Sequence, residues 1–300
     1  MGKGTAIQWC HHSFNPWWGC ARVSPGCENC YAESFAKRAG FGPTPIDPKK
    51  FPVWGAHSGR RFFGEEHWKE PLRWEREAVA AGERHRVFCA SMADVCEVHS
   101  DPGVNWGLQE TRERLRSTIE QTPHLDWLLL TKRPENAGVL AGRWGDSWPS
   151  NTWFGVTAED NKRASIRIPL LLATRGPAIK FVSYEPALEF VDFGLWMPRG
   201  VSWGIVGGES SGGARPFDLG WARAFVAAGA EYGVPVFVKQ LGARPYDSSI
   251  PLEVDVDGGS GAMRARNGNT LKLRDRAGGD WNEWPADLRV REWPKEEVAT

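Results

Sequence analysis

Residues 17–33 read WWGCARVSPGCENCYAE. Cys20, Cys27 and Cys30 form a C-x6-C-x2-C loop, with no fourth cysteine close by. Three thiolates on one short loop can occupy three corners of a [4Fe–4S] cluster, whose usual complement is four protein thiolates. The fourth iron is then open to a ligand that is not protein. A structural zinc site normally closes with four protein ligands, and Cys10, His11 and His12 upstream leave a Cys3His site as an alternative. A disulfide is the third alternative, less usual for C-x2-C in a non-secretory chain. Pro25-Gly26 supplies a turn that brings Cys20 back toward Cys27 and Cys30.

What flanks this loop sets the fold. Short apolar runs recur at residues 6–10, 86–90, 126–130, 152–156, 179–183, 202–206 and 234–238. Continuous apolar runs of this length suit strands buried on both faces of a parallel sheet. Helical stretches fall between them, at 30–39, 66–81, 107–121, 161–173 and 219–232. The alternation predicts an α/β fold, a full or partial (β/α) barrel of six to seven parallel strands. Right-handed crossovers then bring the strands' C-terminal ends to one rim. Polar segments collect there: the cysteine loop, then 91–94, 131–135, 157–161, 184–186, 207–210 and 239–240. Barrel enzymes build their active sites at this rim.

The barrel is expected over 1–242, with an irregular insertion rich in proline and glycine at about 40–65, placed to act as a lid. Residues 243–300 read as a small β-rich appendage packed on the barrel, with short strands at 252–256, 262–266 and 270–273 and turns at 258–259 and 267–268. Hydrophobic residues make up 41% and charged residues 25%, ordinary for a soluble globular chain. The N-terminus has no apolar signal region and no stretch is apolar for long enough to span a bilayer, so a cytoplasmic protein with no membrane partner is expected. Zero formal net charge removes any global electrostatic argument for nucleic-acid binding. Locally, residues 263–277 hold Arg264, Arg266, Lys272, Arg274 and Arg276 against Asp275. The 17 tryptophans mainly serve packing, with stacking on nucleobases as the alternative.

The chain resembles the phage Gp37/Gp68-type family, three-Cys-motif proteins of unknown function. The motifs run in order: FNPWWGCARVSPGCENCYAE, SMADVCE, LLLTKRPEN, WFGVT, FVSYEPAL, WGIVGGESSGGARP, VFVKQLG and DRAGGDWNEWPADLRVREWP. That family in turn resembles the radical S-adenosylmethionine (SAM) superfamily. There a three-cysteine loop after the first strand of a partial barrel binds [4Fe–4S], and the open iron chelates SAM. Reductive cleavage then gives methionine and a 5′-deoxyadenosyl radical. The superfamily's usual spacing is C-x3-C-x2-C, so the x6 gap here is a departure from it.

The resemblance implies roles by position. Cys20, Cys27 and Cys30 hold the metal. Tyr31, Ser91, Asp94, Thr157, Glu185, Gly207, Gly208 and Glu209 are expected around SAM, the glycines because no Cβ blocks an approaching adenine. Arg133, Arg215 and Gln240 are expected to bind substrate, and Lys132 and Lys239 to act at the reacting end. Cys96 is the candidate thiol hydrogen donor, Cys89 reading as core. Helix capping, salt bridges and core packing are the ordinary alternatives for each of these residues. The implied cofactors are a [4Fe–4S] cluster and SAM; the implied partners are an electron donor such as flavodoxin or ferredoxin and a nucleotide or nucleic-acid substrate. A non-catalytic cluster or zinc protein that binds nucleic acid or another protein is the competing function.

Overall fold

The computed structural model describes residues 5, 7–42, 50–140, 148–249, 254–256, 263–265 and 270–294. The apolar runs form β1 (His12–Phe14), β2 (His85–Cys89), β3 (Leu125–Thr131), β4 (Thr152–Thr157), β5 (Ile179–Tyr184), β6 (Trp203–Gly207) and β7 (Val236–Gln240). All seven pair in parallel, in sequence order, and the sheet curls into a half-barrel flanked by helices. The α/β class and the partial barrel are therefore as the alternation of the sequence predicts.

The helices are α1 (Tyr31–Ala36), α2 (Glu65–Ala81), α3 (Pro102–Glu120), α4 (Asn161–Ala173) and α5 (Leu219–Tyr232). Each of the last three starts on an aspartate, Asp101, Asp160 or Asp218, whose carboxylate accepts a backbone N–H of the first turn. Gly82 and Gly233 end α2 and α5 in the left-handed conformation that terminates helices.

Alternate residues of each strand enter two different cores, as the pleat requires. The convex face carries Val87, Trp127, Leu129, Phe154, Val156, Val182 and Val238 against Leu115, Ile119, Ile168 and Phe225 of the helices. The concave face carries Phe88, Leu128, Trp153, Phe181, Trp203, Ile205 and Phe237, closed by Trp9. Of this layer, Trp9 and Phe88 reach the cavity at the strands' C-terminal ends.

The structure corrects the first strand. Residues 7–10 form a turn, with the Cys10 N–H on the Ile7 carbonyl at 3.3 Å, and the strand begins at His12. The apolar character of this stretch comes from Trp9, which fills the concave side. The first helix is also shorter than its apolar pattern, ending at Ala36 before a widened turn that reaches Phe41.

The described part of the insertion is strapped down and is not a free lid. Arg61-Phe62 pairs antiparallel with Trp17-Trp18, and the Gly55 N–H reaches the Cys20 carbonyl at 2.9 Å. Residues 43–49 lie outside the described residues. In the tail, Val254–Val256 pairs antiparallel with Met263–Ala265, and Thr270 bridges Tyr246. The turns expected at 258–259 and 267–268, and Arg266 of the basic stretch, lie outside the described residues; Arg274 of that stretch pairs with Glu283. The last described segment returns to the sheet: the Val238 N–H bonds the Val290 carbonyl and the Glu292 N–H bonds the Val236 carbonyl, both at 2.9 Å. Trp284 and Leu288 of this segment are buried in the convex core. No helix among the described residues is long and apolar enough to cross a membrane.

Candidate functional site

The short β1 strand delivers the chain directly to the cysteine loop, which crosses the C-terminal rim of the sheet. Beneath it lies a cavity of about 1210 Å³, counting its open mouth. Cys20, Cys27, Cys30, Tyr31, Ser91, Asp94, Lys132, Arg133, Thr157, Glu185, Gly208, Glu209, Lys239 and Gln240 all line it. Fourteen of the positions expected from the strand ends and the resemblance thus line one concave space. Gly207, Arg215 and Cys96 stand outside the lining. Cys96, the expected thiol donor, is fully buried in the convex core, so its sulfur faces packed side chains and not the cavity.

Three clamps fix the cysteine loop from below. The first is Arg133, just past β3. Its guanidinium donates to the Cys20 sulfur at 3.4 Å, to the Ala21 carbonyl at 2.7 Å and to Asp94 at 2.9 Å. Asp94 also accepts from the Thr131 hydroxyl at 2.6 Å and from the Lys132 and Cys96 backbone N–H groups at 3.0 Å. Burial alone would raise the Asp94 pKa, but Arg133 and these donors outweigh it and hold the carboxyl below its usual range. The same opposition acts on Cys20: burial pushes its thiol up to about 12, against the pull of Arg133. Glu97 extends this network, taking two bonds from the buried Arg60 at 2.9 and 2.7 Å.

The second clamp is Glu159, just past β4. It is fully buried, pairs with Arg167 at 2.7 Å and accepts the Gly26 N–H of the loop's turn at 3.3 Å. Burial works against its ionisation; Arg167, Lys132 and hydrogen bonds overcome it and lower its pKa. The third is Glu209, past β6, which accepts from Asn29 of the loop at 2.9 Å and from the Arg215 backbone N–H at 2.8 Å and side chain. Arg215 continues to Glu28 at 3.0 Å and to the Pro25 carbonyl at 2.9 Å.

Several residues expected around a cofactor or substrate are therefore spent on the protein itself. Arg133, Asp94, Glu209 and Arg215 hold the loop. Ser91 meets Asn15 at 3.0 Å, and its carbonyl accepts the Tyr31 hydroxyl at 3.0 Å. At Gly208 the place a Cβ would take is filled by the Leu241 carbonyl at 2.8 Å and by Phe217, so packing within the chain already requires glycine there. Glu185, at the end of β5, pairs with Lys239 and accepts from Gln240 at 3.3 Å, and this pair does face the cavity. Arg60, Glu97, Glu159 and Arg167 carry no local signal in the sequence, because each meets its partner only through the fold. Only Glu159 has a hint, its place in the polar segment 157–161; Arg167 lies inside α4.

All six cysteines are free thiols, which removes the disulfide alternative from this structure. His11 and His12 do not join the loop cysteines. His11 accepts from the Arg86 N–H at 2.8 Å, and His12 meets His85 at 3.0 Å and stacks on Trp74. Among the described residues, no three His, Cys, Asp or Glu side chains are gathered closely enough to hold a single metal ion. The three free thiols come from one loop and line one cavity, and the Cys20 sulfur accepts an N–H from Arg133.

Fold and site together define a class, a parallel half-barrel whose three-cysteine loop roofs a polar cavity. The chain belongs to the family described as "Protein of unknown function (DUF5131)", whose model matches residues 4–285. No curated protein and no solved structure matches it.

Proposed function

We propose that this chain is a radical SAM-type iron–sulfur enzyme that modifies or repairs a polar substrate of nucleotide or nucleic-acid character. One observation carries the reading: three free thiols of a single loop line the cavity at the C-terminal ends of a parallel half-barrel. The likeness to three-Cys-motif phage proteins and to the radical SAM superfamily supports it further. Cys20, Cys27 and Cys30 would hold three irons of a [4Fe–4S] cluster and leave the fourth for SAM. When bound and reduced by a donor such as flavodoxin or ferredoxin, this pair supplies cleavage of SAM to methionine and a 5′-deoxyadenosyl radical.

The chain's own residues orient and shield. Arg133, Glu159 and Glu209 hold the loop at three points, Cys20–Ala21, Gly26 and Asn29, so its sulfurs do not depend on the loop's own stiffness. Trp9, Phe88 and Leu130 give the cavity an apolar wall that excludes water from that side. Glu185 and Lys239 present a carboxylate and an ammonium to the same space, a set suited to ribose hydroxyls or to the two ends of an amino acid.

The test is anaerobic reconstitution with iron and sulfide, reduction, and addition of SAM. Formation of 5′-deoxyadenosine supports the enzyme. Stoichiometric zinc, or a reduced cluster whose spectrum ignores SAM, defeats it in favour of a non-catalytic metal protein. Cys27→Ala should abolish cluster binding in either case.

A further inference from the structure

The sequence places five cationic or amide side chains at the rim, and the structure separates them. Arg133 is held by Asp94, Arg215 by Glu209 and Glu28, Lys239 by Glu185, and Gln240 by the Gly208 carbonyl and Glu185. Lys132 differs. Its backbone N–H serves Asp94, but among the described residues its ammonium has no hydrogen-bonded or ion-paired partner. Its charge acts on Glu159, yet Arg167 already pairs with that carboxylate at 2.7 Å. One positive charge in the cavity wall is left unmatched.

Unmatched polar atoms stand around the same space. Trp9 Nε1, Thr157 Oγ1 and Ser211 Oγ are buried without a hydrogen-bond partner, and all three residues line the cavity. Thr157 is 0% and Trp9 2% exposed. Buried polar groups are nearly always satisfied in folded proteins, by protein, ordered water or a bound molecule, so this set marks where a ligand can gain hydrogen bonds. The strand register relates them to the lysine: Thr131 pairs with Val156, so Lys132 and Thr157 are the next neighbours across β3 and β4. Thr157 in turn pairs with Ser183 on β5, making a polar row above the aromatic layer.

We propose that the molecule bound here carries an oxyanion, a carboxylate or a phosphate, held by Lys132 and the Thr157 hydroxyl. The Trp9 indole N–H donates to a further acceptor on the same molecule. This names a substrate class for the enzyme reading above and rests on that reading for the word substrate. An unpaired ammonium beside neutral donors suits an anion, because a charge-assisted hydrogen bond is stronger than a neutral one.

The test uses the full-length protein labelled with nitrogen-15, as isolated and after reconstitution. Binding is read at the backbone amide resonances of Lys132 and Thr157, assigned by selective lysine and threonine labelling. Inorganic phosphate and sodium acetate are titrated separately, with choline chloride as the ionic-strength control. A saturable shift with phosphate identifies a phosphate-bearing ligand; one with acetate identifies a carboxylate. Binding should weaken at least tenfold in Lys132→Gln and measurably in Thr157→Val, while the exposed Lys69→Gln binds as the parent does. No saturable shift with either anion, an equal shift with choline chloride, or unchanged binding in both cavity variants overturns the proposal. Formation of 5′-deoxyadenosine without anion binding defeats this inference alone. Anion binding without it defeats the enzyme reading and leaves the anion site.

Discussion

The cavity has two sides built on opposite rules. Under the cysteine loop, Asp94, Arg133, Glu97, Arg60, Glu159 and Arg167 are buried and matched charge for charge. Across β3 and β4, Lys132, Thr157 and, closing the concave side, Trp9 leave polar atoms unmatched. Matched groups fix a shape; unmatched ones wait for a partner. A polar residue at a strand end is thus informative only once its partners are known.

This contrast is open to direct attack, because substitutions on the two sides should behave in opposite ways. Arg133→Ala should show the largest effect. It leaves Asp94 buried beside Glu97 without its cation, a change that typically costs about 3–5 kcal/mol. The urea midpoint should fall accordingly, and reconstituted iron content should fall with it. Asp94 also gives this variant a pH signature. A carboxyl held below its usual pKa stabilises the fold above its unfolded value and loses that contribution as pH falls through the folded value. Arg133→Ala should flatten this acid limb of the stability curve. A midpoint within error of the parent would sink the idea of a clamp.

Glu159→Gln should come next. It keeps the bond to Gly26 but leaves Arg167 facing a neutral amide, for a loss of about 1–3 kcal/mol by chemical denaturation. Smaller again is a pH effect at the opposite end of the sheet. Burial, with the nearby charges of His85 and Arg86, lowers His11 to about 4; burial and the His85 charge lower His12 to about 4. A histidine whose folded pKa lies below its unfolded value of about 6.5 favours the fold only while neutral. Stability should therefore decline as pH drops from about 6.5 towards 4, and His12→Phe, which retains a ring against Trp74, should lessen that decline. Thermal melts across this range would show it, and a flat profile would count against the burial of these rings.

The smallest changes belong to the unmatched side. Thr157→Val removes a hydroxyl that has no partner, so stability should stay level or rise slightly. Lys132→Gln should stay within about 0.5 kcal/mol of the parent. Clear destabilisation in either variant would mean that these groups are structural, and the division between the two sides would fail.

Much of the architecture is legible in the chain. Six of the seven apolar runs coincide with strands to within two residues, because parallel strands buried on both faces leave continuous apolar stretches. Residues 161–173 and 219–232 match α4 and α5 in full, since an aspartate cap marks each beginning and Thr174 or Gly233 each end. The run at 6–10 misleads for a physical reason: apolar residues report burial, and Trp9 is buried in a turn. The position of the site is legible as well, because the crossover rule alone gathers the strand ends. The division of labour within it is not. Arg60 and Glu97 lie 37 positions apart, and Asn29 and Glu209 lie 180 apart. Their pairing is a property of the closed fold, and no spacing rule anticipates it.

The returning segment at Val290–Glu292 has a practical consequence. It occupies the outer backbone groups of β7, which would otherwise be the bare border of an open sheet. Trimming the chain before Val290, as one might to obtain a tidier crystallisation sample, would uncover those groups and invite a second molecule to pair along them. Such a truncated protein is expected to form dimers or precipitate, so tags and fusions are better added beyond Pro294 than substituted for the tail.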